Sequence, residues 1–156
     1  MIDTLEPYNL ILTELQSSIP QILRKIFDEH GKFIAQLVQE EQLSEGKDGD
    51  GNLLGTYSRV TEIISLFESP KPIKLKKEGE PFNFEWTGKW FRNMKARLKT
   101  ESDYEIFSSD FKHKLLVETY GDAITKVNPK LNEYINEKIL KPKLYQYFYE
   151  KLSIAA

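Results

Sequence analysis

The sequence predicts an α+β fold: a mainly helical single domain with a long N-terminal helix, a small antiparallel β-hairpin and C-terminal helices. Three observations carry that prediction. A long amino-terminal run repeats apolar residues at three-and-four spacing, two short middle segments alternate apolar with polar residues, and capped apolar series recur toward the carboxyl end. At 156 residues the chain fits one domain over 1–156, large enough to remove roughly 70% of its unfolded surface from water.

The first element is the most strongly patterned. Ile19, Ile22, Leu23, Ile26, Phe27, Phe33, Ile34, Leu37 and Val38 stack on one helical face. Ser17 or Ser18 is the expected cap, and Pro20 in a first turn would cost no intrahelical bond. A shorter helical stretch with Leu5, Leu10 and Leu15 near one face precedes it.

"EGKDGDGNLLGTYS" follows, with four of the chain's eight glycines. As a calcium loop it would offer Asp48, Asp50 and Asn52, but Leu53 stands where the sharp-turn glycine belongs and Arg59 where the bidentate glutamate belongs. As a phosphate cradle it lacks both a leading strand and a following GK[ST]. A tight turn rich in residues that tolerate positive φ is the reading that remains. Val60, Ile63, Ile64 and Phe67 then suggest two or three helical turns capped by Ser58. Prolines at 70, 72 and 81 break regular structure and predict an extended, flexible Pro/Lys-rich arm at about 69–81.

"MKARLKT" and "DYEIFSS" predict a hairpin, with Met94, Ala96 and Leu98 on one face and Tyr104 and Ile106 on another, turning through Thr100 to Asp103. A two-stranded hairpin is marginal alone, so it must pack on a helix. Asp110 is placed to cap the next helix, and Gly121 to end it in a left-handed residue. Asn128 and Pro129 open another with the apolar series Leu131, Tyr134, Ile135 and Ile139. Pro142 is expected to kink it before Leu144, Tyr145, Phe148 and Leu152.

Composition narrows the function classes. The chain has no cysteine, which excludes a disulfide framework, a thiolate zinc site and a cysteine nucleophile. The start has acidic residues where a secretory signal needs basic ones, and no apolar run approaches the roughly 20 residues of a membrane span. Net charge is -2, yet residues 70–99 carry nine Lys or Arg against three Glu. That asymmetry implies a partner surface or an internal complement. His30 lies on the apolar face of the long helix and His113 between Lys112 and Lys114. Neither has metal-ligand or nucleophile-base spacing. No catalytic, metal or cofactor residue is predicted.

One segment mixes aromatics with cations. Phe82, Phe84, Trp86, Trp90 and Phe91 interleave with Lys89, Arg92, Lys95, Arg97 and Lys99, a combination that suits either base stacking with phosphate neutralisation or a core and protein interface.

The order of short signals resembles the layout of tailed-phage virion morphogenesis and tail-completion proteins of the head-to-tail connection. Asp50, Gly51, Leu54, Gly55, Tyr57, Ser58 and Thr61 match the turn after the long helix, Gly79 and Pro81 the end of a lysine-bearing arm, and Thr87, Gly88 and Phe91 the segment before the hairpin. The stretch "ETYGDAITKVNPKLNEYINEKILKPKL" is similar to the ending of uncharacterised structural proteins of Bacteroides-group and crAss-like phages. The arm here is longer, the residues after Gly88 are more aromatic, and a carboxyl-terminal helix replaces a short ending.

The resemblance implies a non-enzymatic ring subunit that joins capsid to tail, located in the virion and assembled in the host cytoplasm. Its implied partners are further copies of itself and portal, adaptor or tail proteins. Nucleic acid is a candidate contact, and no membrane is implied. The expected interface residues are Lys74, Lys76, Lys77, Trp86, Trp90, Phe91, Asp50, Gly51 and Tyr57. The alternative is a small nucleic-acid-binding protein using residues 82–99.

Overall fold

A computed structural model describes residues 6–155. Helix α1 (Glu6–Glu41) runs its whole length without a break, about 54 Å at the ordinary rise per residue. The expected boundary at Pro20 is absent. Ser17 and Ser18 cap nothing and instead donate their hydroxyls to the carbonyls of Glu14 and Leu15, each at 2.8 Å. The helix continues through the proline because Leu15 and Ile22 on either side of it are buried, and α6 (Lys141–Ala155) returns beside this half, with Lys151 Nζ 3.2 Å from Glu14 Oε1. Tertiary burial outweighs the lost backbone bond. Leu5 lies outside the described residues.

The second half of α1 is the spine of the core. Ile26, Ile34 and Val38 are fully enclosed, while Phe33, expected on the same face, points to solvent. Strand β1 (Met94–Leu98) pairs antiparallel with β2 (Tyr104–Ser108), setting Met94 opposite Ser108, Ala96 opposite Ile106 and Leu98 opposite Tyr104. This register puts the inward residues of both strands on one face rather than two, because directly paired residues share a side of the sheet. The hairpin packs on α1 so closely that a side chain at Gly31 would strike the Ala96 carbonyl oxygen at 2.5 Å.

Helix α2 (Arg59–Phe67) is capped by Ser58, whose Oγ accepts from Thr61 N. The short α3 (Lys89–Arg92) leads into β1. Asp110 holds the start of α4 (Lys112–Tyr120) by accepting from Lys112 N at 2.9 Å. Gly121 ends it at φ 79 and ψ 175, a positive φ but an extended ψ rather than the left-handed helical turn expected. Helix α5 (Pro129–Ile135) begins as expected, with Asn128 accepting from Leu131 N. The kink expected at Pro142 is replaced by a π-helical turn over Asn136–Leu140, which lets Ile135 and Ile139 both face inward before α6 starts. Pro142 follows directly, and the helix runs on through it from the π-helical turn into α6 without a break.

Candidate interaction surfaces

The glycine-rich stretch forms a closed turn. Asp48 Oδ1 accepts from the backbone of Asp50 at 2.9 Å and of Asn52 at 2.8 Å, so the carboxylate is engaged by its own loop. Gly51 supplies the positive φ of 84 that this closure needs. Among the described residues no group of three or more His, Asp or Glu is placed to hold a metal ion. Asp50 and Gly51 are exposed at the tip.

Residues 69–81 are extended, as their prolines demand, but they lie against the body. Ile73 N donates to Trp86 O, Tyr57 N to Glu80 O and Gly79 N to Tyr57 O, each at 2.9 Å. Trp86 Nε1 reaches Pro70 O at 3.0 Å. Lys76 is the anchor, only 2% exposed, its ammonium donating to Asn83 Oδ1 and, at 2.7 Å, to Glu85 O. Tyr57 completes the cluster by donating to Asn83 Oδ1 and accepting from Asn83 N at 2.9 Å. Burial pushes the Lys76 ammonium below its ordinary value and Lys74 adds to that, while Glu85 opposes it. Burial likewise raises the Tyr57 hydroxyl. Of the three lysines expected to meet a partner, Lys76 is thus internal, whereas Lys74 and Lys77 are exposed.

The aromatic segment divides in the same way. Trp90 and Phe91, expected at an interface, are 4% and 6% exposed and belong to the core, where Trp90 lies against Phe84 and His113. Phe84 packs edge-on against Tyr120, centroids 5.5 Å apart, and tilted against Trp90 at 5.6 Å. Trp86 is half-buried, and Lys89, Arg92, Lys95, Arg97 and Lys99 stay in solvent.

His113 is the polar lid of this core, with Trp90 Nε1 donating to its Nδ1 at 3.3 Å. Desolvation lowers its pKa, partly offset by Glu105, and Arg97 lowers it further. His30 is half-buried, its Nε2 enclosed without a hydrogen-bond partner among the described residues and 3.9 Å from Glu29 Oε2.

A cleft of about 530 Å³ opens between the hairpin and α5 to α6, where Tyr104 O–H donates to Asn132 Oδ1 at 2.7 Å. Burial drives the Tyr104 hydroxyl far above its usual value.

Three exposed apolar surfaces stand outside this framework. Leu10, Leu12, Tyr145 and Tyr149 project where α6 meets the start of α1. Phe111 and Leu115 project from the start of α4, and Phe111 borders a small hollow of about 180 Å³ shared with Trp86, Lys89 and Lys112. The third is α2. Its polar residues Thr61, Glu62 and Ser65 face the body, with Ser65 buried, whereas Val60 and Phe67 are 65% and 81% exposed and Ile63 and Ile64 lie between them. Phe111, Leu115 and the outward face of α2 are the surface residues that sequence reasoning missed. An apolar residue opening a helix among charges was the available signal for Phe111.

No protein-family model, no curated protein and no solved structure matches the chain. No described helix is long and apolar enough to cross a membrane.

Proposed function

We propose that this chain is a non-enzymatic structural subunit of a phage virion, forming or completing a ring at the head-to-tail connection with portal, adaptor or tail proteins as neighbours. The observation that carries the reading is the coexistence of unlike exposed apolar surfaces on a body with its own filled core. A ring closes when one surface of a subunit fits a different surface of the next. The α1–α6 surface carries the Lys151–Glu14 ion pair, while the hollow at Trp86 and Phe111 is lined by Lys89, Lys112 and Asp110, so the two apolar centres have different surroundings. The order of turn, arm and Thr87-Gly88 signals supplies the virion context. Trp86 remains an expected contact residue, and Lys74, Lys77, Asp50 and Gly51 remain exposed candidates.

Imaging of purified virions by cryo-electron microscopy, with mass spectrometry of their proteins, tests the proposal. The expected result is the chain as a ring between capsid and tail, and unjoined particles when Trp86 and Phe111 are both replaced by alanine. Virions that lack the chain would overturn it.

A second reading, single-stranded nucleic-acid binding, is favoured by the five exposed cations from Lys89 to Lys99. Binding of labelled DNA that weakens steeply between 50 and about 200 mM salt is its signature, and no binding at low salt removes it.

A further inference from the structure

Residues 58–80, which comprise α2 and the extended segment after it, add no residue to the hydrophobic core. Among them only Ser65, Pro72 and Lys76 are buried, and no other described helix or strand packs along α2. Every hydrogen bond described for these residues ends within residues 57–86. At their base Thr56 bridges Pro81, with Tyr57 N donating to Glu80 O at 2.9 Å and Phe82 N to Gly55 O at 3.1 Å. The lobe is a long loop closed at its neck and fastened on one side.

Two sets of bonds fasten it. Inside the lobe, Lys76 N donates to Ser65 Oγ at 3.2 Å and Glu78 N to Glu62 Oε2 at 2.9 Å, so α2 and residues 73–80 lose shared bonds if either leaves alone. Toward the body, the Lys76 ammonium donates to Asn83 Oδ1 and Glu85 O, and Ile73 N donates to Trp86 O. Water can replace such polar bonds at small net cost, whereas buried apolar surface has no such substitute. Rehydration of the Lys76 ammonium further offsets the bonds it gives up. We propose that residues 58–80 form a strap that opens as one unit while the body stays folded, uncovering Asn83 and the carbonyls of Glu85 and Trp86.

The lobe has the marks of a low-stability cooperative unit, few buried apolar contacts and a backbone close to solvent. Gly55 and Gly79 lie on either side of the neck with φ of 140 and 80, states that glycine enters and leaves without steric cost. The body does not need the strap to fill its core. Phe82 and Phe84, just beyond the neck, pack on Tyr120 and Trp90 instead. The flexible arm expected at 69–81 is therefore larger, because Ser65 and Glu62 carry α2 with it. Opening is a property of the isolated chain and does not depend on the virion reading.

Native-state hydrogen exchange of the full chain at rising, sub-denaturing guanidinium concentrations tests it. The expected result is one shared opening for the amides of residues 64–68, Ile73 and Gly79, with protection at least about a hundredfold below that of Ile34, Ala35 and Val38. Its dependence on denaturant should be shallow, because opening the strap exposes little surface. Lys76→Met should accelerate this exchange about tenfold or more, by the same factor in α2 as in residues 73–80, although the lost bonds end on Asn83 and Glu85 rather than on α2. Unchanged protection at Ile34 and Ala35 shows that the variant is folded. Strap amides as protected as that of Ile34 overturn the proposal, and so do α2 amides that keep their rate while residues 73–80 accelerate.

Discussion

The second half of α1 and the whole of α2 are written in the same pattern and placed in opposite ways. Both repeat branched and aromatic apolar residues at three-and-four spacing. Phe27, Ile34 and Val38 of α1 belong to the core cluster with residues of β1 and the carboxyl-terminal helices. Val60, Ile63, Ile64 and Phe67 of α2 face outward, and the helix rests on the body through Ser65 and Glu62. Periodicity announces a helix and its apolar side. Which side is covered depends on what the remaining chain brings against it, and here an extended segment anchored by Lys76 offers α2 hydrogen bonds rather than a hydrophobic bed.

That contrast can be sharpened by equivalent substitutions. Ile34→Ala should destabilise the fold by about 2–5 kcal/mol, the range for a large-to-small change in a closed core. Ile63→Ala should change the stability of the isolated subunit by less than about 0.5 kcal/mol. Chemical denaturation of both variants at low protein concentration checks this. Equal losses would mean that α2 is covered within the monomer.

A smaller effect is expected where α2's support is undone. Lys76→Met keeps the volume but removes the donor to Glu85 O and Asn83 Oδ1, leaving a buried acceptor short of a partner. The expected cost is about 1–3 kcal/mol. Hydrogen exchange should show faster exchange at the backbone amides of residues 73–80 while those of Ile34 and Ala35 stay protected. Uniform loss of protection would place Lys76 in the main core instead.

The smallest change concerns His113 at the edge of that core. Its folded-state pKa lies below histidine's ordinary 6.5, chiefly through desolvation. Below pH 6.5 the unfolded chain therefore binds a proton that the folded chain resists, and this group's contribution to stability falls as the pH falls toward the folded-state value. Protonation of Nδ1 also removes the acceptor for Trp90 Nε1. Melting temperature should drop between pH 7.5 and 5 in the original chain, and drop less in His113→Phe. Identical slopes would show that His113 titrates freely.

The parts of the fold that depend on near neighbours were legible in the residues themselves. Ser58 and Asn128 cap the helices they precede, and alternation places the hairpin. The parts that were not legible depend on distant partners. "PIKLKKE" shows Lys74 and Lys76 alternating with Ile73 and Leu75, which by itself suggests lysines outside and apolar residues inside. The reverse holds at Lys76, because Asn83, Tyr57 and Glu85 form a polar pocket there. Trp90 and Phe91 share their composition with any sticky surface, and only the turn of α3 against α1 sends them inward. Pro20 reads as a helix start until Leu15 and Ile22 are seen buried on either side of it.

The sequence alone determined the element types, their order and an α+β class, since helical and strand periods, caps and turn residues act over a few neighbours. The tertiary structure decided which faces are hidden. Burial is a property of two surfaces at once: the same apolar stripe becomes core in α1 and surface in α2, and one lysine of three becomes an internal anchor.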